Sequence, residues 1–540
     1  MIRKVKLLFH TIKYLKFCQI WNRLKRKFLT PCIKTSSAPE LSIPKDKFEE
    51  VALTPQKMLN CNSFRFLNET NSISSESWND DSLDKLWLYN LHYFDDLNAV
   101  NSDKRKNWHG RLIQRWIEEN TPEYAGNGWE PYPSSLRIVN WIKWFLLGAD
   151  IKKAWHDSLA TQVRYLIQNL EYHILGNHLF TNAKALIYAG LFFKGVEAEI
   201  WYKTGIKILN KELNEQVLND GGNFELSPMY HAIFLEDLLD IFNIHQAFNK
   251  KIPYDITNKI SKMFCWLRTM CHPDGEVSFF NDSAIGIAPK LIELEKYAGR
   301  LNISLPKKID EFMHLSDSGY IRVQKNNLVA LLDVANVGPN YLPGHAHADT
   351  LSFELSLFGQ RLLVNSGTSC YGNSVERLRQ RGTSAHNTVV INGENSSEVW
   401  SGFRVARRAK PFDLKINQSN MQTKIKCSHD GYKRLRGGPI HSRKWIFDAN
   451  QLTIYDFIDR RFKEVEAHFF FHPEVEVKLD ESGKKGTASI DNKIMITFNI
   501  QQGFACILNT TYHPEFGLSI SNKCLVIKLD ELESKVCFSW

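Results

Sequence analysis

The chain lacks any Cys-x-x-Cys pair, and its ten cysteines are scattered from Cys18 to Cys537. That excludes a zinc ribbon and argues against a disulfide frame; it suits reduced, mostly buried thiols. No apolar run approaches the length of a membrane span. Residues 1–29 hold no uninterrupted apolar stretch followed by a small-residue cleavage site, so no cleavable secretory signal is read there. No RNA- or DNA-binding motif accompanies the formal net charge of +9, which sets nucleic acid aside as a partner. No strict sequence repeat is present.

What is present begins with size. The 540 residues, 43% of them hydrophobic, are enough for about two to four domains with sizeable cores. Fourteen Trp, 18 Tyr and 33 Phe supply rings for cores and for clefts that stack on sugars. The positive balance favours an acidic polysaccharide or an anionic membrane. Residues 1–29 carry Arg3, Lys4, Lys6, Lys13, Lys16, Arg23, Lys25, Arg26 and Lys27. They read as a basic amphipathic helix, either lying on an anionic membrane, packed on a partner, or solvated. With the polar stretch 35–46, which holds Pro39 and Pro44, they form a leader and linker over 1–47.

The pattern then divides in two. Over 48–310 apolar residues recur at three- and four-residue steps, in 138–147, 159–170, 183–193, 200–213, 232–248 and 260–270. Successive helical hairpins of similar length predict an α/α array or toroid. Over 311–540 the segments become short, alternating and turn-bounded: 320–324, 328–334, 351–358, 361–364, 388–391, 453–458, 467–471, 494–499 and 525–529. That predicts an antiparallel β-sandwich. The fold class is α+β and multidomain, with a cleft between the halves as the natural place for a site.

Candidate chemistry clusters in few segments. His345 and His347, in Gly344-His345-Ala346-His347-Ala348-Asp349, are two residues apart and point the same way on an extended segment. His386 opens a nearby β-branched run. Three imidazoles can hold a metal or divide metal binding and proton transfer. In the helical half, 127–137 offers Trp129 and Arg137, 176–182 offers Asn177 and His178, and 221–231 offers Glu225 and Tyr230. The last two segments precede helices, where free N–H groups favour an anion. Asn177 equally suits an N-cap, and Tyr230 a core ring. Arg404, Arg407 and Arg408 suit a carboxylate or sulfate, or a solvent-facing strand. Asn281 or Asp282 lines the cleft without an expected catalytic role.

Asn, His and Tyr without paired carboxylates fit eliminative cleavage of a uronic acid polymer. Hydrogen bonds neutralise the carboxylate, a Tyr or His takes the adjacent proton, and a Tyr or His returns one to the leaving oxygen.

The stretches Asn177-His178, Ser227-Pro228-Met229-Tyr230-His231, Gly344 to Asp349, Leu363-Val364-Asn365-Ser366-Gly367-Thr368 and Ala385-His386-Asn387-Thr388-Val389 resemble the heparinase II/III family of polysaccharide lyases. The resemblance implies an incomplete α/α toroid followed by an antiparallel β-sandwich, acting by β-elimination on an acidic polysaccharide. It implies that Asn177 and His178 neutralise the uronate carboxylate, that Tyr230 is base and acid, and that His345 opposes Tyr230 across the scissile bond. It implies one structural zinc ion on His347 and His386, with Asn365 at a ligand position that is commonly Asp. A neutral amide is a poorer zinc ligand than a carboxylate. Trp129, Arg137, Glu225 and Arg404 are the candidate substrate contacts. The resemblance also implies a cell-envelope or periplasmic location, whereas the signal reading and the thiols point to the cytoplasm or a membrane-facing surface. Two other functions stay open: a weakly active or inactive glycan-binding partner in surface-polysaccharide assembly, and a metal-dependent glycan hydrolase.

Overall fold

The computed structural model describes residues 2–28, 31–124, 126–252, 256–306, 309–419, 421–490 and 494–540. Its first half is a curved array of helices. Pro131–Leu146, Lys153–Gln168, Gly176–Phe192, Val196–Gln216, Pro228–Ala247 and Ile256–Met270 form its body. Lys85–Tyr93 and Lys106–Glu119 precede them and Leu291–Arg300 follows. One core joins them, built around fully buried rings such as Trp87, Trp141, Trp201 and Phe264.

The apolar periodicity finds each of the six body helices. The three that reach the site begin seven, seven and four residues earlier than it indicates. Their first turns break the apolar period, and each sends one half-buried side chain, Tyr132, His178 or Tyr230, toward the site. Pro131 and Pro228 stand at first-turn positions where a missing N–H costs nothing. The Ser227 side chain caps the Tyr230 N–H at 3.1 Å. A small antiparallel sheet of Met58–Asn60, Ser63–Phe66 and Glu69–Ser72 lies inside the region read as helical.

The strand ladders of the second half are antiparallel. A five-stranded sheet runs in the order Phe312–Leu315, Tyr320–Lys325, Leu328–Asp333, Phe353–Leu357, Gln360–Leu363. Its last strand continues toward a four-stranded sheet through the Leu363–Phe471 bridge. An eight-stranded sheet packs against both, and Phe353, Trp445, Phe469 and Phe538 share the core between the layers. Strand Phe353–Leu357 is buried on both faces. Its Phe and Leu residues fill the sandwich. Glu354 and Ser356 face the helical half, where His272 bonds both, at 2.8 and 2.7 Å. This strand therefore locks the junction where the site forms.

The leader does not stand free. Helices Ile2–Ile12 and Phe17–Phe28 strap across both halves. Trp400 donates to the Thr11 hydroxyl at 3.1 Å, and buried Gln19 donates to the Ile174 carbonyl at 3.1 Å. The positive surplus also belongs to this segment. Residues 1–39 hold ten basic and no acidic residues, so 40–540 carry a net −1. The +9 is thus no evidence for a basic cleft.

Candidate active site

The segment Gly344 to Asp349 is irregular rather than a strand, yet its side chains alternate. Ala346 and Ala348 pack into a small apolar cluster with Val337, Val399 and Val405. His345, His347 and Asp349 therefore share the opposite side. Both histidines bind one carboxylate. His345 Nδ1 lies 2.9 Å from Asp282 Oδ2, and His347 Nε2 lies 2.8 Å from Asp282 Oδ1. Arg377 adds a bidentate fork to the same group, with Nη2 at 2.6 Å. Asp282 is fully buried. Burial alone would push its carboxyl up. The Arg377 guanidinium and the bonds from His345, His347 and Arg377 outweigh that and hold it well below the usual range.

The sequence alone places Asn281 or Asp282 on the cleft, without a catalytic role. Asp282 is instead the group that orients His345: a carboxylate only accepts, so Nδ1 carries the proton and Nε2 presents a lone pair.

The His345 and Tyr230 rings are in contact, with centroids 4.0 Å apart. This corrects the expectation that the two oppose each other across the scissile bond. No pyranose fits between them, and both belong to one wall. The Tyr230 hydroxyl bonds that of Tyr371 at 2.8 Å. Burial first, then the neighbouring phenols and Asp282, push the Tyr230 hydroxyl well above its ordinary pKa.

Asn177 and His178 lie in the first turn of Gly176–Phe192. Gly176 has φ +56°, and a Cβ there would meet the Leu342 side chain at 2.3 Å and Glu225 Oε1 at 3.1 Å, so only glycine lets the turn seat against them. His178 Nδ1 lies 3.0 Å from Glu171 Oε1. Burial pushes the His178 imidazole down, but the charge and hydrogen bond of Glu171 prevail and raise it. Tyr132 links this pair to Tyr230. Its hydroxyl accepts from Asn177 Nδ2 at 3.3 Å, its ring lies 4.5 Å from His178, and its phenol acts electrostatically on Tyr230. Half-buried Tyr132, His178, Tyr230, His345 and Tyr371 thus form one connected, partly exposed patch.

The four substrate contacts fare differently. Trp129 is core: it is 4% exposed, and its Nε1 donates to the Asn120 carbonyl at 3.0 Å. Arg137 is also core, fully buried over the Trp116 ring at 3.8 Å and bonded to Gln162 and the Gly128 carbonyl. Both looked like loop residues because helix Pro131–Leu146 starts with a polar turn. Glu225 sits beneath this patch rather than on it. It is 3% exposed, and Oε2 lies 3.9 Å from His345 Nε2. Burial raises its carboxyl, partly offset by His345, His178 and the Asn177 N–H. Arg404 is exposed and lies over the Trp400 ring at 4.8 Å. Its neighbour Phe403 is the residue that reaches His345, at 6.1 Å between rings.

A set of metal-type donors lies behind His345. His347, Asp349 and His386 bring ligand atoms within 4.8 Å of one another, all buried. Asn365 is elsewhere engaged: its Oδ1 accepts from the Asn387 N–H at 3.2 Å and its Nδ2 donates to Ser352. The carboxylate sought at Asn365 is supplied by Asp349, two residues past His347 on the alternation already noted. The hydrogen bonds also fit a cation. His347 Nε2–H donates to Asp282, and His386 Nδ1–H to the Gly382 carbonyl at 2.8 Å. The remaining lone pairs, His347 Nδ1 and His386 Nε2, face each other at 3.1 Å. Burial holds both imidazoles low, His347 at about 4.

A helical array, a sandwich, and a Tyr–His pair braced by a buried carboxylate define a toroid-and-sandwich protein. The chain belongs to the heparinase II/III family: the heparinase II/III N-terminus model matches residues 21–299 and the heparinase II/III-like C-terminal model residues 310–540. It is 30% identical over 359 residues to a heparin-sulfate lyase of Bacteroides stercoris, covering 62% of this chain and 52% of that protein. It is 24% identical over 406 residues to FtsZ-localized protein C of Caulobacter vibrioides, covering 67% of each. The chain spans about half the length, or less, of the curated heparin-sulfate lyases it matches. A crystal structure of heparinase III shares the fold with TM-score 0.70 and 19% identity, over 86% of this chain and 79% of that one.

Proposed function

We propose that the protein is a polysaccharide lyase that cleaves a uronic-acid-containing glycan by β-elimination. The observation that carries this reading is the Tyr230–His345 ring contact with Asn177 and His178 joined to it through Tyr132. The Asn177 amide and the His178 imidazolium neutralise the uronate carboxylate and so acidify the adjacent C–H. His345, its Nδ1–H held by Asp282, takes that proton on Nε2. Tyr230, kept protonated by its burial, gives its O–H proton to the leaving glycosidic oxygen. One double bond forms, one C–O bond breaks, and no water is consumed. Both acid and base act from one wall of the groove.

His347, Asp349 and His386 would hold one structural metal ion, zinc by the donor set. When bound, the ion supplies cross-linking of the two imidazoles beneath His345. A hydrolytic metal needs an open position that substrate reaches. His347 and His386 are each 1% exposed, which disfavours the hydrolase reading. The family resemblance supports a cell-envelope or periplasmic location, which fractionation of the native protein tests. One relative is named for its localisation with FtsZ rather than as a lyase, which keeps glycan binding without cleavage as the second reading. One assay separates the two. Acidic polysaccharides are screened for ultraviolet-absorbing unsaturated ends, with Tyr230→Phe and His345→Ala as controls. Each control should lose about 10²–10⁴-fold in rate while keeping its fold. Full rate in either would overturn the role given to that residue.

A further inference from the structure

The outer side of the leader has no use in the groove chemistry. On helix Ile2–Ile12, Val5, Phe9 and Ile12 are 59%, 66% and 51% exposed. On helix Phe17–Phe28, Phe17, Trp21, Leu24 and Phe28 are 78%, 57%, 48% and 83% exposed. Within each helix these residues are three or four apart, so each set forms one stripe. The inner sides are occupied. Lys16 pairs with Glu215, Arg26 donates to the Asn169 carbonyl, and Arg408 lies over the Tyr14 ring at 4.2 Å. The stripes therefore cannot turn inward to bury themselves. Exposed Lys4, Lys6, Lys13, Arg23, Lys25 and Lys27 accompany them.

We propose that this face docks on an anionic lipid surface. Exposed large apolar side chains accompanied by basic ones are what an interfacial helix requires: the rings enter the headgroup boundary and the cations meet lipid phosphates. The charge distribution supports the same occupant. All of the chain's positive surplus lies in residues 1–39, while the remainder carries −1, so attraction to an anionic surface acts on this end of the molecule. A second copy is disfavoured, because it would bring two such basic segments together. An acidic glycan would match the cations but leave the aliphatic Val5, Ile12 and Leu24 in water. Because the leader is bonded to both halves, docking holds the enzyme body at the membrane without a flexible tether.

The test is flotation of the full chain with vesicles of phosphatidylcholine alone, or of phosphatidylcholine with phosphatidylglycerol. Binding should appear only with the anionic vesicles and fall as salt rises. Lys25→Ser or Lys27→Ser should each weaken partition about five-fold. Phe17→Ser/Trp21→Ser/Leu24→Ser should weaken it by roughly a hundred-fold or more, with unchanged melting, because all three side chains are exposed. No recovery with anionic vesicles would overturn the proposal. So would undiminished binding of the triple variant, or a dimer in sedimentation that the triple variant disperses. The outcome is independent of whether the groove cleaves a glycan.

Discussion

Replacing Asp282 by Asn tests whether the buried carboxylate holds the site together. Asp282 is fully buried and accepts four hydrogen bonds: two from Arg377, and one each from His345 and His347. The amide is almost the same size but uncharged, and its Nδ2 cannot accept. Arg377, equally buried, would lose its counter-ion and one arm of its fork, keeping at most the amide oxygen and the Gly402 carbonyl as acceptors. Leaving one buried charge unpaired costs about 3–5 kcal/mol. That is a large share of the roughly 5–15 kcal/mol by which folded proteins are stable. Denaturant titration should therefore show a clear fall in midpoint. The rate should fall about 10²–10⁴-fold as well, because His345 loses the acceptor that fixes its tautomer. Asp282→Asn/Arg377→Leu separates the two effects. Removing the cation should restore most of the stability, since an apolar replacement of a buried pair is often neutral. It should not restore the rate. If Asp282→Asn melts and turns over like the parent, or if the double variant regains activity, the orienting role is wrong.

Three further outcomes follow from the geometry. Tyr371→Phe removes the bond to the Tyr230 hydroxyl and should cost about ten-fold in kcat with little change in KM, measured by unsaturated-product release. The His178 imidazole is raised by Glu171, so the stability of that pair is fully present below about pH 6.5 and fades as pH rises through the folded value. Activity that needs the His178 imidazolium should fall over the same window, and Glu171→Gln should move this alkaline limb to lower pH in a kcat/KM profile; an unmoved limb would contradict the role. Added zinc should raise the melting temperature of the parent, by about 2.7 kcal/mol of stabilisation at a hundred times Kd, and Asp349→Ala should lose the shift while Asn365→Ala keeps it.

The two-part architecture was legible because periodicity changes from helical to alternating, and the helix array stops at Arg300 before the first sandwich strand at Phe312. Much of the eight-stranded sheet was not. Strands such as Thr423–His429 put Lys residues on the outer face, which breaks up the apolar signal. Asn177, His178 and Tyr230 stood out because polar groups at the first turns of otherwise apolar helices have no packing reason to be there. The same rule failed at Trp129 and Arg137, whose polar surroundings are satisfied inside the core. Asp349 was readable, since the alternation that pairs His345 with His347 reaches it next. Asp282, Tyr371 and Arg377 were not. Asp282 and Tyr371 lie in irregular segments and Arg377 in the six-residue helix Val375–Gln380, too short to show a period, and only the tertiary fold brings them to the two histidines and Tyr230.

The most direct measurement is product analysis of an acidic uronate glycan after incubation with the parent chain and Tyr230→Phe. Elimination predicts chains ending in a C4–C5 double bond, seen by ultraviolet absorbance and mass, with the signal lost in the variant. Saturated ends carrying one added water, or equal release by the variant, would contradict a lyase built on the Tyr230–His345 pair.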